Sequence, residues 1–232
     1  MGNVEITYRF SHEGGANETF DLKLDQHSLE LLGNVPDDLP NWTELGFRKC
    51  PQCKLDSSEH THCPAASNLV NLVRGFSRVL SHEWITVEVL TAERAYSQQV
   101  PAQRGISSLM GLIMAVSGCP STAFFRPMAR FHVPWSSQDE TTYRATSMYL
   151  LAQFLRKAAG LEAELELEGL AQIYEEIRTV NRAFAERLRA ASHEDSTINA
   201  LVVLDTQALT MPWSIESSLE ELRPGFESYL KT

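Results

Sequence analysis

The apolar residues change period along the chain, and that change restricts the fold more than any other feature. Val4, Ile6, Tyr8 and Phe10 alternate with Glu5, Thr7 and Arg9, the pattern of a strand buried on one face. Phe20, Leu22 and Leu24 repeat it. Gly14-Gly15-Ala16-Asn17 lies between the two runs and tolerates positive φ, so a hairpin is expected to open the chain. After Cys63 the period becomes 3.6: Leu69, Leu72, Val73, Phe76, Val79 and Leu80 share a helix face, and Pro64 suits the first turn. Alternation returns in Ile85, Val87 and Val89, with Tyr96 to Val100 as the partner strand and Pro101 as its stop. Two hairpins around one helix predict a ββαββ arrangement and a four-stranded, mainly antiparallel sheet over residues 1–101.

Beyond Pro101 only the helical period recurs. Ile106 to Val116 is apolar nearly all round, and its small Ser107, Ser108, Gly111 and Ala115 permit close neighbours, so it is expected to be a central buried helix. Ser137 and Glu140 have capping-box spacing before a helix to about Lys157, which Gly160 can end. Leu170, Ile173, Ile177, Val180, Phe184 and Leu188 mark a long amphipathic helix. Ile198 to Leu209 reads as another, ended by Pro212, with Ser214 capping a last short one. The expectation is one α+β domain, with the sheet layer of residues 1–101 packed on a helical bundle of residues 102–232.

Charge and composition narrow the function classes. With 232 residues, 43% of them hydrophobic, the chain can bury a core without crosslinks, so its four cysteines are available for chemistry. A net charge of −10 repels phosphate backbones and anionic bilayers, so neither nucleic acid nor a membrane is an expected partner. The longest nearly uncharged run, Gly105 to Phe125, is broken by Gly111, Gly118 and Pro120 and is too short to span a bilayer. Met1 to Phe10 lacks the basic-then-apolar layout of a secretion signal, and a cytoplasmic protein is expected.

Residues 44–63 have no clear period and carry the densest set of metal-capable side chains: Cys50-Pro51-Gln52-Cys53, then His60, His62 and Cys63. Cysteines three positions apart on a tight turn can aim both sulfurs at one centre, a half-site used by zinc and by iron–sulfur clusters. Cys119 is remote in sequence but follows the central helix. Cys50, Cys53, Cys63 and Cys119 form the expected ligand set, with His60 and His62 as alternates for the fourth position. Proline follows Cys50, Cys63 and Cys119. It would make Cys63 and Cys119 helix N-caps, where free amides favour a thiolate. Spacing does not separate zinc from iron–sulfur. Small buried apolar cysteines and a redox-active Cys50–Cys53 pair are the competing readings.

The runs CPQC, HCPAASNLVNLV, SSLMGLIMAVSGCP, RPMARFHVPW and YRATSMYLLAQF resemble a family of uncharacterised bacterial proteins. The resemblance covers nearly the whole chain and implies a shared fold, without a reaction, cofactor or partner.

After Cys119, Arg126, Arg130 and His132 interleave with Phe124, Phe125 and Phe131. Arg126 and Arg130 could hold a carboxylate or phosphate, and His132 could serve as acid or base beside Cys119. A solvated loop whose arginines pair with Asp139 and Glu140 is the plainer alternative. Three classes of function follow. The first is a metal-stabilised binding or regulatory protein whose partner is a protein or small anion. The second is an iron–sulfur redox or sensor protein. The third is an enzyme with Cys119 as nucleophile and His132 as base. No glycine-rich phosphate loop, His-Glu-x-x-His helix or Gly-x-Ser-x-Gly elbow supports a familiar enzyme class.

Overall fold

A computed structural model of the chain describes residues 2–12, 17–191 and 195–231. Residues Gly14 to Ala16 of the expected first turn lie outside the described residues. The fold is α+β. Strands β1 (Val4–Ser11), β2 (Glu18–Leu24), β3 (Trp84–Thr91) and β4 (Ala95–Pro101) form one antiparallel sheet in the order β2-β1-β3-β4. Its register sets Tyr8 between Phe20 and Val89, so the inward residues of three strands meet in one row. Ile6, Tyr8, Phe10, Ile85, Val87 and Val89 are buried, while Glu5, Arg9 and Glu88 face solvent.

Helices α1 (Pro64–Gly75) and α2 (Ala102–Val116) contribute much of the core against that inward face. Gly105 governs the approach of α2. A Cβ there would lie 2.9 Å from Val87 Cγ2 and 3.2 Å from the Phe10 ring, so only bare backbone lets the helix sit this close to the sheet. After the short α3 (Arg126–Arg130) come α4 (Gln138–Ala158), α5 (Glu168–Ala191), α6 (Ser196–Leu222) and α7 (Glu227–Leu230). The expected capping box closes the start of α4: Glu140 N–H donates to Ser137 Oγ, and Ser137 N–H donates to the Glu140 carboxylate. Gly160, at φ +73°, follows its end.

Three local expectations fail, the first because α1 ends at Gly75, so that Phe76, Val79 and Leu80 follow the helix instead of sharing its face. Pro212 does not end a helix, and Ser214 caps none; α6 runs through both. A proline inside a helix costs about 3 kcal/mol. Ala208, Met211 and Ile215, on either side of it, are buried in a second core with Ala145, Tyr149, Leu170 and Tyr174. Burying each large apolar side chain returns about 1.5–3 kcal/mol, which outweighs the break. Cys119 is likewise no helix N-cap. Residues 120–122 form a turn closed by Thr122 N–H to Cys119 O at 3.2 Å, followed by a single 3₁₀ turn, Ala123–Phe125. The hydroxyls of Ser117 and Thr122 both donate to the Met114 carbonyl, satisfying the end of α2, and Gly118 reverses the chain at φ +87°. Among the described residues, no helix is long and apolar enough to cross a membrane.

Candidate functional site

The irregular segment 44–63 is tied at both ends. Leu45 N–H donates to Thr61 O at 2.9 Å and Cys63 N–H to Thr43 O at 2.8 Å, and Glu44 bridges His62 in antiparallel fashion. Cys53 N–H donates to Cys50 O at 3.0 Å, closing the turn that the Cys-Pro-Gln-Cys spacing implies. Cys63 is the N-cap residue of α1, as its following proline predicts. Gln52 Nε2 and Arg187 then fasten the segment to α5, the first by donating to Glu176 O at 2.9 Å.

All four cysteines are free thiols, and Cys63 is buried. They lie within electrostatic reach of one another. Burial pushes the Cys50 thiol up to about 12, and negative charge on Cys63, Cys119 or Cys53 would push it the same way. The Cys63 thiol is also raised by burial and by Cys119, against the opposing pull of the Ala66 and Ala65 amides and of Arg187. Among the described residues, no group of three or more His, Cys, Asp or Glu side chains is placed so that it could hold a metal ion. Cys119 comes within electrostatic reach of Cys50 and Cys63, which sequence separation could not establish.

Arg187 completes the cluster. Its side chain is 2% exposed, and it forms no ion pair with a carboxylate among the described residues. Its Nη1 donates to the carbonyls of Trp42 and Glu44, the latter at 2.8 Å. Burial lowers its proton affinity, and the thiols of Cys63, Cys50 and Cys53, when ionised, raise it. The histidines stand differently. His62 Nδ1 is 2.8 Å from Thr43 Oγ1, and His60 is exposed near Asp56.

A second feature lies among α2, α3, α4, α5 and α6: a cavity of about 420 Å³. Its wall includes His132, Ser108, Arg144, Tyr174, Asn181 and Trp135. Tyr8 Oη sits 2.8 Å from Ser108 Oγ and 2.5 Å from His132 Nε2, so sheet, central helix and cavity wall share one polar chain. Burial, with a smaller contribution from Arg144, depresses His132 to about 3, so the imidazole is neutral. Burial raises Tyr8 well above the usual phenol range, so its hydroxyl stays protonated and has one proton to share between Ser108 and His132.

The neutral His132 makes a measurable pH dependence. From about 6.5 down to about 3, the unfolded chain binds a proton at His132 that the folded chain refuses, so stability falls as pH falls through that window. The loss is on the order of 2 kcal/mol after discounting for partial exposure. In urea titrations at pH 7 and pH 4.5, His132→Gln is expected to lose less stability on acidification than the parent. Equal losses would place the acid sensitivity elsewhere.

The other candidates are engaged separately. Arg126 donates to Glu30 at 2.7 Å and to Ser28 O at 3.3 Å, and Arg130 lies 5.4 Å from the Phe131 ring centroid. Neither lines the cavity, and the salt bridge of Arg126 is to Glu30. Cys119 belongs to the thiol cluster, and no hydrogen bond joins it to His132 among the described residues, so a nucleophile–base pair is not formed between them. The acid or base expected beside Cys119 stands in the cavity wall, which does not include Cys119.

Sequence reasoning missed Arg187, Arg144, Tyr174 and Asn181. Three of them left a signal on α5. Tyr174 is four residues after Leu170, Asn181 four after Ile177 and Arg187 seven after Val180, so each is a polar residue inside the apolar stripe. No curated protein and no solved structure matches the chain. Residues 6–227 match the family described as domain of unknown function DUF6901, and the chain belongs to that family.

Proposed function

We propose that the protein is a metal-binding protein in which Cys50, Cys53, Cys63 and Cys119 hold one thiolate-ligated centre, zinc or an iron–sulfur cluster. The observation that carries the reading is Arg187, a buried guanidinium with no carboxylate partner among the described residues and with three of the four thiols around it. Two carbonyls and the rings of Phe47 and Phe184 partly offset its burial, but a buried charge without an opposite one stays costly, and neutral thiols supply none. Binding a metal deprotonates cysteine, and four thiolates on a divalent ion leave an anionic centre that a guanidinium stabilises. The raised thiols of Cys50 and Cys63 then mean that metal, not ambient pH, removes their protons.

The role of the centre is to fix the segment 44–63, the N-terminus of α1 and the turn after α2 to one point. His62 and His60 remain the alternates for the fourth position; the contact with Thr43 occupies only Nδ1 of His62 and leaves its Nε2 open. Elemental analysis and an absorption spectrum of protein purified anaerobically without chelator test the reading. The expected result is about one centre per chain, colourless with zinc or brown with absorption near ~400 nm for a cluster. Absence of both zinc and iron would overturn it.

A further inference from the structure

We infer that the cavity among α2, α4, α5 and α6 binds an amphiphilic carboxylate, with its anionic head toward Arg144 and its apolar body against the methionine-lined wall. This is independent of the thiol centre. Thirty acidic residues give the chain its net charge of −10, yet no Asp or Glu lines the cavity, while Arg104 and Arg144 both do. Neither arginine forms a salt bridge among the described residues. Glu140, the carboxylate that Arg144 senses, is occupied in the capping box of α4.

Arg144 is held ready for a ligand. Its Nη1 donates to Ser136 Oγ at 3.2 Å, and its Nη2 donates to the carbonyls of Met128 and Phe131 at 3.1 and 2.8 Å. Of the five guanidinium N–H donors, Nε–H and one on Nη1 remain; they lie on different edges, so each can give one charge-assisted hydrogen bond to a ligand oxygen. Other donors in the wall also lack partners. Asn181, 2% exposed, has an unpaired buried Nδ2, and Trp135 has an unpaired buried Nε1. The Tyr174 hydroxyl makes no hydrogen bond among the described residues, and burial keeps it protonated. Unpaired buried donors are costly, and acceptor oxygens of a ligand would satisfy them.

The rest of the wall is apolar and adaptable: Met114, Met128, Met211, Phe125, Leu112 and Leu204. Methionine accommodates bodies of varied shape. A volume of about 420 Å³ lies in the small-molecule range and accommodates roughly ten to fifteen carbons at interior packing density.

Dodecanoate and 1-dodecanol, titrated below their aggregation limits into the full chain, separate head from body. Calorimetry is expected to show dodecanoate binding at least tenfold more tightly than the alcohol, with and without metal loaded. Asn181→Leu removes a donor that has no partner in the protein, so it is expected to fold and melt no lower than the parent while binding dodecanoate at least fivefold more weakly. Arg144→Met is expected to abolish the preference for acid over alcohol. Equal affinity for acid and alcohol, no binding of either, or unchanged dodecanoate affinity in Asn181→Leu together with a retained acid preference in Arg144→Met would each overturn the inference. None of these results depends on the cysteines, so failure here and failure of the metal reading are read separately.

Discussion

Cys63→Ser and Cys119→Ser are each expected to lose metal and melt about 10 °C lower, the two losses appearing together. Cys63 begins α1 and Cys119 follows α2, 56 positions later in sequence, yet each contributes to the electrostatics of Cys50. A shared centre would therefore join elements that otherwise meet only by packing. Metal binding to such a site is also folding free energy, and losing one thiolate forfeits a large part of it. A cysteine that merely fills space behaves differently: serine in its place costs about 1 kcal/mol and leaves metal content unchanged. Differential scanning calorimetry and metal analysis on the same samples separate the cases. If Cys119→Ser keeps its metal and its melting temperature while Cys63→Ser loses both, Cys119 is a packing residue and the fourth ligand lies elsewhere.

Arg187→Ala is expected to destabilise the fold by about 3–5 kcal/mol, read as a lower urea midpoint with little change in slope. The substitution empties a site that is 2% exposed and strips the carbonyls of Trp42 and Glu44 of their donor. Trp42 lies within the 3₁₀ turn Asn41–Thr43 and Glu44 follows it, where the chain enters the cysteine segment, so that segment should loosen first. Arg187→Lys restores a positive charge but not the planar fork, and recovers only part of the loss. Metal content distinguishes two roles for the charge. If Arg187 stabilises an anionic thiolate centre, Arg187→Ala holds metal less tightly against a competing chelator and Arg187→Lys recovers part of that affinity. If it serves only the carbonyls, chelator competition is unchanged in both variants.

Much of the fold was legible because burial writes its period directly into the residue pattern. Alternation in Val4 to Phe10 and in Ile85 to Val89 predicted strands that occur, and the Ser137–Glu140 spacing predicted a capping box that forms. These are short-range properties, decided by side-chain direction and by amides within one turn. Pro212 misled for the complementary reason. Its local preference against a helix is real, but the burial of Met211 and Ile215 comes from α4 and α5, residues distant in sequence. Cys119 misled through the proline beside it, because the hydroxyls of Ser117 and Thr122 had already finished α2 in another way.

The sequence by itself determined the α+β class, the strand and helix faces and the three-cysteine density of residues 50–63, since each depends on neighbours within a few positions. Tertiary structure alone decided that Cys119 comes within electrostatic reach of Cys50 and Cys63, that Arg187 lies buried near Cys63, Cys50 and Cys53, and that His132 turns to Tyr8 and the cavity. The physical reason is that each of these depends on how helices cross and where the chain returns, and so on the sum of many weak packing contacts. No local period records that sum.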